Sequence, residues 1–159
     1  MKVHDLMTPN PIRIAPETAV AEIARTLIEH RINGVPVTDT GGRLLGIVTE
    51  GDLAHRAADE RLEPRESVWK ESFYRSVFHR RTPEPDKAEG RTAEQVMTRE
   101  VLTVAPDSNV TVAARLLVDH NIKSLPVIEN ERLVGMISRF DLLKHIADNA
   151  ESFNSMSKD

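Results

Sequence analysis

Two short motifs carry most of the chemistry this chain can offer. Thr49-Glu50-Gly51-Asp52 and Ser138-Arg139-Phe140-Asp141 each set a hydroxyl three residues ahead of a carboxylate. An ionised carboxylate has two oxygens and no proton to give, so it accepts two donors at once, such as the adjacent hydroxyls of a ribose. The hydroxyl three residues earlier suits a phosphate or ribose oxygen. The pattern also has a purely structural use, because Asp is a common helix cap, and one side chain can do both. Other chemistries are missing. With no cysteine in the chain, disulfides and thiolate metal sites are excluded. The six histidines, at 4, 30, 55, 79, 120 and 145, show no metal-ligand spacing. His30 and His120 sit at equivalent helix ends, where a cation-capable ring complements the helix dipole. No Walker loop, no G-x-G-x-x-G after a strand and no G-x-S-x-G elbow occurs. No catalytic residue and no metal ligand are assigned, and the chain reads as a non-enzyme.

The motifs recur because a larger unit recurs. Met7-Thr8 returns as Met97-Thr98, Ala15-Pro16 as Ala105-Pro106, and Val35-Pro36-Val37 as Leu125-Pro126-Val127. Arg43-Leu44-Leu45-Gly46 returns as Arg132-Leu133-Val134-Gly135. The offset is 90 residues up to the proline and 89 beyond the next turn, so the second copy has lost one loop residue. A repeated unit is usually one that cannot bury its apolar face alone, and a pair has a cleft between its halves.

Each copy reads the same way. Ile12-Arg13-Ile14 and Leu102-Thr103-Val104 alternate as short extended segments. Thr18 and Ser108 offer helix caps. Val20, Ile23, Ala24, Leu27 and Ile28, matched by Val110, Ala113, Ala114, Leu117 and Val118, fall at helical spacing. The Pro-Val segments are strands whose proline requires an edge or a strand start. Asp39-Thr40-Gly41-Gly42 and Glu129-Asn130-Glu131 are hairpin turns, and second helices open at Asp52 and Asp141. The fold class is α+β: two β-α-β-β-α repeats related by a pseudo-twofold axis, with a helical insert between them.

Residues 1–55 form the first repeat, 56–91 the insert and linker, 92–147 the second repeat, and 148–159 a polar tail. The insert holds nine Lys or Arg against eight Asp or Glu, and four of the six aromatics. Trp69, Phe73 and Val77 make one helical stripe, joined by Tyr74 and Phe78, with a basic patch at Arg75, His79, Arg80 and Arg81. Net charge is −4 and apolar content 40%, which gives no reason to expect nucleic acid as a partner. No apolar run approaches the roughly 20 residues that span a bilayer, and the expected compartment is the cytoplasm.

The doubled pattern of helix, apolar-Pro-Val strand, hairpin and Gly-h-h-[Ser/Thr]-x-x-Asp resembles the cystathionine β-synthase (CBS) domain, present as a tandem pair or Bateman module. Gly46-Ile47-Val48-Thr49-Glu50-Gly51-Asp52 and Gly135-Met136-Ile137-Ser138-Arg139-Phe140-Asp141 are its most specific parts. The resemblance covers Val3 to His55 and Ala93 to Ala147. It implies a sensor rather than a catalyst. Such pairs bind adenine-containing ligands in two clefts and commonly form flat homodimers.

On that resemblance Asp52 and Asp141 hold ribose, with Thr49 and Ser138 beside them. Thr8 and Ile12, Thr98 and Leu102, and then Val35 and Leu125 line the adenine slots. The loop before the Pro-Val strand points into the cleft of the other copy's aspartate. Lys123 then serves the Asp52 site and Arg139 the Asp141 site, whereas Asn33, where the pattern favours a base, predicts unequal sites. AMP, ADP, ATP, NAD and S-adenosylmethionine all fit this reading as regulatory ligands, with no obligatory cofactor. The output passes to a separate effector protein, or the chain is a fragment of a larger one. The competing reading is a ligand-independent dimeric scaffold that docks a partner through the aromatic insert.

Overall fold

A computed structural model describes residues 1–59 and 91–150. The aromatic stripe and basic patch of the insert, and the tail past residue 150, lie outside the described residues. The first half runs α1 (Val3–Leu6), β1 (Thr8–Pro9), α2 (Val20–His30), β2 (Gly34–Thr38), β3 (Leu44–Thr49) and α3 (Glu50–Asp59). The second runs α4 (Ala93–Val96), α5 (Val110–Asp119), β4 (Ser124–Glu129), β5 (Arg132–Ser138) and α6 (Arg139–Asp148). No described helix is long and apolar enough to cross a membrane.

The hairpins β2–β3 and β4–β5 form the backbone of each half, and their registers correspond: Val35 faces Val48 and Leu125 faces Ile137. Asn130 and Glu131 both take positive φ, the mark of a two-residue type I′ turn. In the longer first turn, Asp39 Oδ1 instead accepts from the backbone of Gly41 and Arg43, both at 2.9 Å. Pro36 and Pro126 occupy the side of the hairpin where no donor is needed. Their carbonyls accept from Ile14 and Val104, at 3.0 and 3.1 Å. The extended segments expected at Ile12–Ile14 and Leu102–Val104 shrink to single parallel bridges, Ile14 with Val37 and Val104 with Val127.

The regular pairing lies earlier in the chain and crosses between repeats. Thr8 and Pro9 pair with Met136 and Gly135 of β5. Reciprocally, Thr98 exchanges both backbone hydrogen bonds with Ile47 of β3, at 3.0 and 2.9 Å. Each hairpin thus takes its third strand from the other repeat's lead segment. The helical turn before that strand crosses too. The Val3 amide donates to Ser108 and the Ala93 amide to Thr18. One core therefore joins Ile23, Leu27, Val35 and Val48 to Ala93, Val96 and Met97. The other joins Val104, Leu117, Leu125 and Ile137 to Val3, with Leu6 and Met7 packed against it. Neither repeat closes its core from its own residues, which is the physical reason the unit comes as a pair.

This exchange explains the motif glycines. A Cβ on Gly46 would stand 2.7 Å from both the Met97 sulfur and the Thr98 carbonyl oxygen. One on Gly135 would stand 2.5 Å from the Met7 sulfur and 3.1 Å from the Thr8 carbonyl. Only a residue without a side chain lets the crossing strand lie this close.

One local expectation is corrected. The residue at the N-cap of α2 is Ala19, with no side-chain cap, and at that of α5 it is Asn109, which accepts from the Thr111 amide. The Thr18 and Ser108 amides instead donate to Ala15 and Ala105 in the turns that follow Pro16 and Pro106. Ile28 and Val118 are not core: they are 76% and 70% exposed, at equivalent positions on the outer sides of α2 and α5. Ile23 and Leu27, like Ala113 and Leu117, carry the packing.

Candidate functional site

Helices α3 and α6 each start at a reciprocal cap. Asp52 Oδ2 accepts from the Thr49 amide at 2.9 Å, and the Asp52 amide donates to Thr49 Oγ1 at 3.2 Å. Asp141 Oδ2 accepts from the Ser138 amide at 2.8 Å, and its own amide donates to Ser138 Oγ at 3.3 Å. The capping role is therefore real, but it occupies one carboxylate oxygen of each residue. The other oxygen of Asp52 accepts from the hydroxyl of Thr98, at 3.2 Å, which arrives on the crossing strand. The other oxygen of Asp141 has no partner among the described residues. Both aspartates are half-buried, so a ligand can reach the open oxygen of Asp141, and at Asp52 it meets an oxygen already bound by the Thr98 hydroxyl.

Two clefts open at these helix starts. The first, of about 400 Å3, has walls of Thr49, Glu50 and Gly51 from one repeat and Asn121, Ile122 and Lys123 from the other. Thr98, Glu100 and Leu102 complete it from the crossing segment. Asp52 stands at its edge through the Thr98 bond. The second, of about 350 Å3, has Ser138, Phe140 and Asp141 on one side and Arg31, Ile32 and Asn33 on the other. Thr8, Asn10 and Ile12 complete it. Asn33 and Ser124 line both, so the clefts meet back to back at the pseudo-twofold axis.

Most of the residues expected from the sequence gather here. Thr49, Thr98, Leu102 and Lys123 line the Asp52 cleft, and Thr8, Ile12, Ser138 and Asp141 the other. Ile12 and Leu102 are 37% and 38% exposed. Large apolar side chains left half open inside a cleft are available to a flat apolar ligand.

Four are not among the cleft walls: Asp52, which stands at the edge of its cleft, and three more. Val35 and Leu125 are wholly buried within the two cores, because alternation along β2 and β4 turns them inward. Arg139 turns away from the Asp141 cleft. Its Nε donates to the Ile122 carbonyl at 2.8 Å, and its terminal nitrogen to the Leu117 carbonyl at 3.1 Å and Asn121 Oδ1 at 3.2 Å. The end of α5 leaves carbonyls without helical donors, and a guanidinium fork satisfies them.

The base that lines the Asp141 cleft is instead Arg31. It follows the end of α2 in the left-handed conformation, at φ 52°. Arg31, Asn10, Glu50, Glu100 and Phe140 are cleft residues that motif matching misses. The signal for them was mismatch rather than match. Arg31 aligns with Asn121, Asn10 with Glu100, Glu50 with Arg139 and Gly51 with Phe140.

The family model for the CBS domain matches residues 3–59 and 93–148, both halves of the structure just described. The chain belongs to the CBS domain family. Among relatives of this CBS pair, an uncharacterized protein of Methanocaldococcus jannaschii, MJ1426, is 29% identical over 155 residues, 91% of this chain and 90% of that one. The chain spans only 22%, 23% and 32% of three longer archaeal relatives. Among solved structures, the CBS domain pair of protein MJ0100 in complex with 5′-methylthioadenosine and S-adenosyl-L-methionine superposes with a TM-score of 0.70 at 26% identity, covering 92% of this chain and 99% of that one. CBSX2 in complex with AMP superposes at 0.69 and 25% identity, covering 92% and 96%.

Proposed function

We propose that this CBS pair is a non-catalytic regulatory module that binds adenine-containing ligands in its two inter-repeat clefts. The observation that carries the reading is the split use of each aspartate. One oxygen caps the helix; the other lies open in the cleft at Asp141, and at Asp52 is bound at the cleft edge by the Thr98 hydroxyl, each beside a half-open apolar side chain. That set matches an adenosine: vicinal hydroxyls for the carboxylate, and a flat base for Leu102 or Ile12. Two similar structures hold AMP in one case and 5′-methylthioadenosine with S-adenosylmethionine in the other, which supports the same ligand class here.

The assembly we propose is a homodimer acting on a separate effector protein. Ile28 and Val118 repeat one exposed apolar position in both halves, next in kind to Phe140, Leu143 and Ile146 on α6. A patch that obeys an internal twofold is self-complementary, which is what an isologous interface needs. Ile28→Asp with Val118→Asp should yield a monomer in sedimentation velocity.

Ligand binding is tested by thermal unfolding with AMP, ADP, ATP, NAD and S-adenosylmethionine. A ligand held only by the folded state at one hundred times its Kd adds about 2.7 kcal/mol, a rise in Tm of several degrees. We expect a rise with at least one of these ligands, lost in Asp52→Asn plus Asp141→Asn, whose amide oxygens keep both caps. A flat response across the panel would favour the scaffold reading instead.

A further inference from the structure

We infer that the two clefts sort charged adenosine ligands by the 5′ substituent: the Asp141 cleft prefers an anionic one and the Asp52 cleft a cationic one, while uncharged adenosine enters both. This rests on the adenine-ligand reading above and specifies it. The folds of the two clefts match, so their difference lies in side chains that neither pack nor cap. Among the described residues, the only charged ones in the wall of the Asp141 cleft are Arg31 and Asp141 itself. The Arg31 guanidinium makes no ion pair among the described residues. With Asp141 spent on ribose, a free fork of donors remains for a phosphate, the group that guanidinium matches best.

The Asp52 cleft has the opposite balance. Its one cation among the described residues, Lys123, is already paired across the cleft with Glu50. Glu100 adds a second carboxylate that makes no ion pair among the described residues, where the other cleft has Asn10. With Asp52 spent on ribose, the wall keeps a net negative charge. A 5′-phosphate entering here must displace Glu50 from Lys123 and face Glu100. An amine or a sulfonium replaces the Lys123 ion pair with one of its own. Each opposing unit charge within a few ångström of a partly exposed site changes affinity by roughly tenfold.

Calorimetric titration of the full chain with AMP, adenosine and 5′-amino-5′-deoxyadenosine tests this, with Asp52→Asn and Asp141→Asn assigning each event to a cleft. AMP binding should survive Asp52→Asn and weaken at least tenfold in Asp141→Asn. Binding of the amino analogue should show the reverse. In the Asp141→Asn background, Glu50→Gln with Glu100→Gln should strengthen AMP at least tenfold, by freeing Lys123 and removing the second carboxylate. AMP and the amino analogue depending on the same aspartate, or unchanged AMP affinity on removing both glutamates, would overturn the sorting while leaving the nucleotide reading standing. No adenosine compound responding to either aspartate would overturn both.

Discussion

The floors of the two clefts are nearly interchangeable, and their walls are not. In both halves the same glycine, Gly46 or Gly135, packs against the same crossing Met-Thr strand, and the same aspartate caps the helix that follows. On the walls, Glu50 answers to Arg139, Gly51 to Phe140, Glu100 to Asn10 and Asn121 to Arg31. Floor positions are fixed by close packing, where one extra methyl group is felt. Wall positions are half in water, where a substitution changes stability little. Within the clefts, these differences fall where ligand charge would be read.

The comparison can be broken first at the floor. Leu125→Ala removes a wholly buried side chain and should cost about 3 kcal/mol in urea unfolding. It should leave the ligand affinity of the folded protein within twofold. A larger affinity loss at unchanged stability would return Leu125 to the site. Next, Gly46→Ala should cost about 2–3 kcal/mol. Gly135→Ala should cost less, because its nearest obstacle is a flexible methionine sulfur rather than a carbonyl at 2.7 Å. Equal costs would mean that the two crossing strands yield alike.

Arg139→Met comes third. Losing three hydrogen bonds to the end of α5 should cost about 1–2 kcal/mol by thermal unfolding, with no change in binding at the Asp141 cleft. Weaker AMP binding would show that Arg139 acts on ligand after all. The smallest stability effect belongs to the walls. Ile12→Ser and Leu102→Ser should each cost about 0.5 kcal/mol or less, yet reduce adenosine affinity several-fold in the cleft each one lines. Unaltered affinity would remove the apolar slot from the account.

Repeats, hairpins, capped aspartates and the α+β class were legible because each follows from local pattern: a two-residue period, a helical period, a turn of fixed chemistry. The exchange of lead segments was not. Met7-Thr8 and Met97-Thr98 look alike, so the pattern has no means of saying which hairpin each one joins. The same blindness hid the reason for Gly46 and Gly135, whose close neighbours come from the far end of the chain. Lys123 was legible as a residue reaching the opposite cleft, but its Glu50 partner was not. Arg139 was misplaced because a cation beside an aspartate in sequence has two outlets, the cleft or an unsatisfied helix end. Only the position of α5 decides between them.

The most direct test of the central claim is the stoichiometry of adenosine binding, since an uncharged ligand should enter both clefts. Equilibrium titration should give two adenosines per chain in the wild type, one in Asp52→Asn, one in Asp141→Asn, and none in the double variant. A stoichiometry that ignores both aspartates would place the ligand elsewhere and contradict the account.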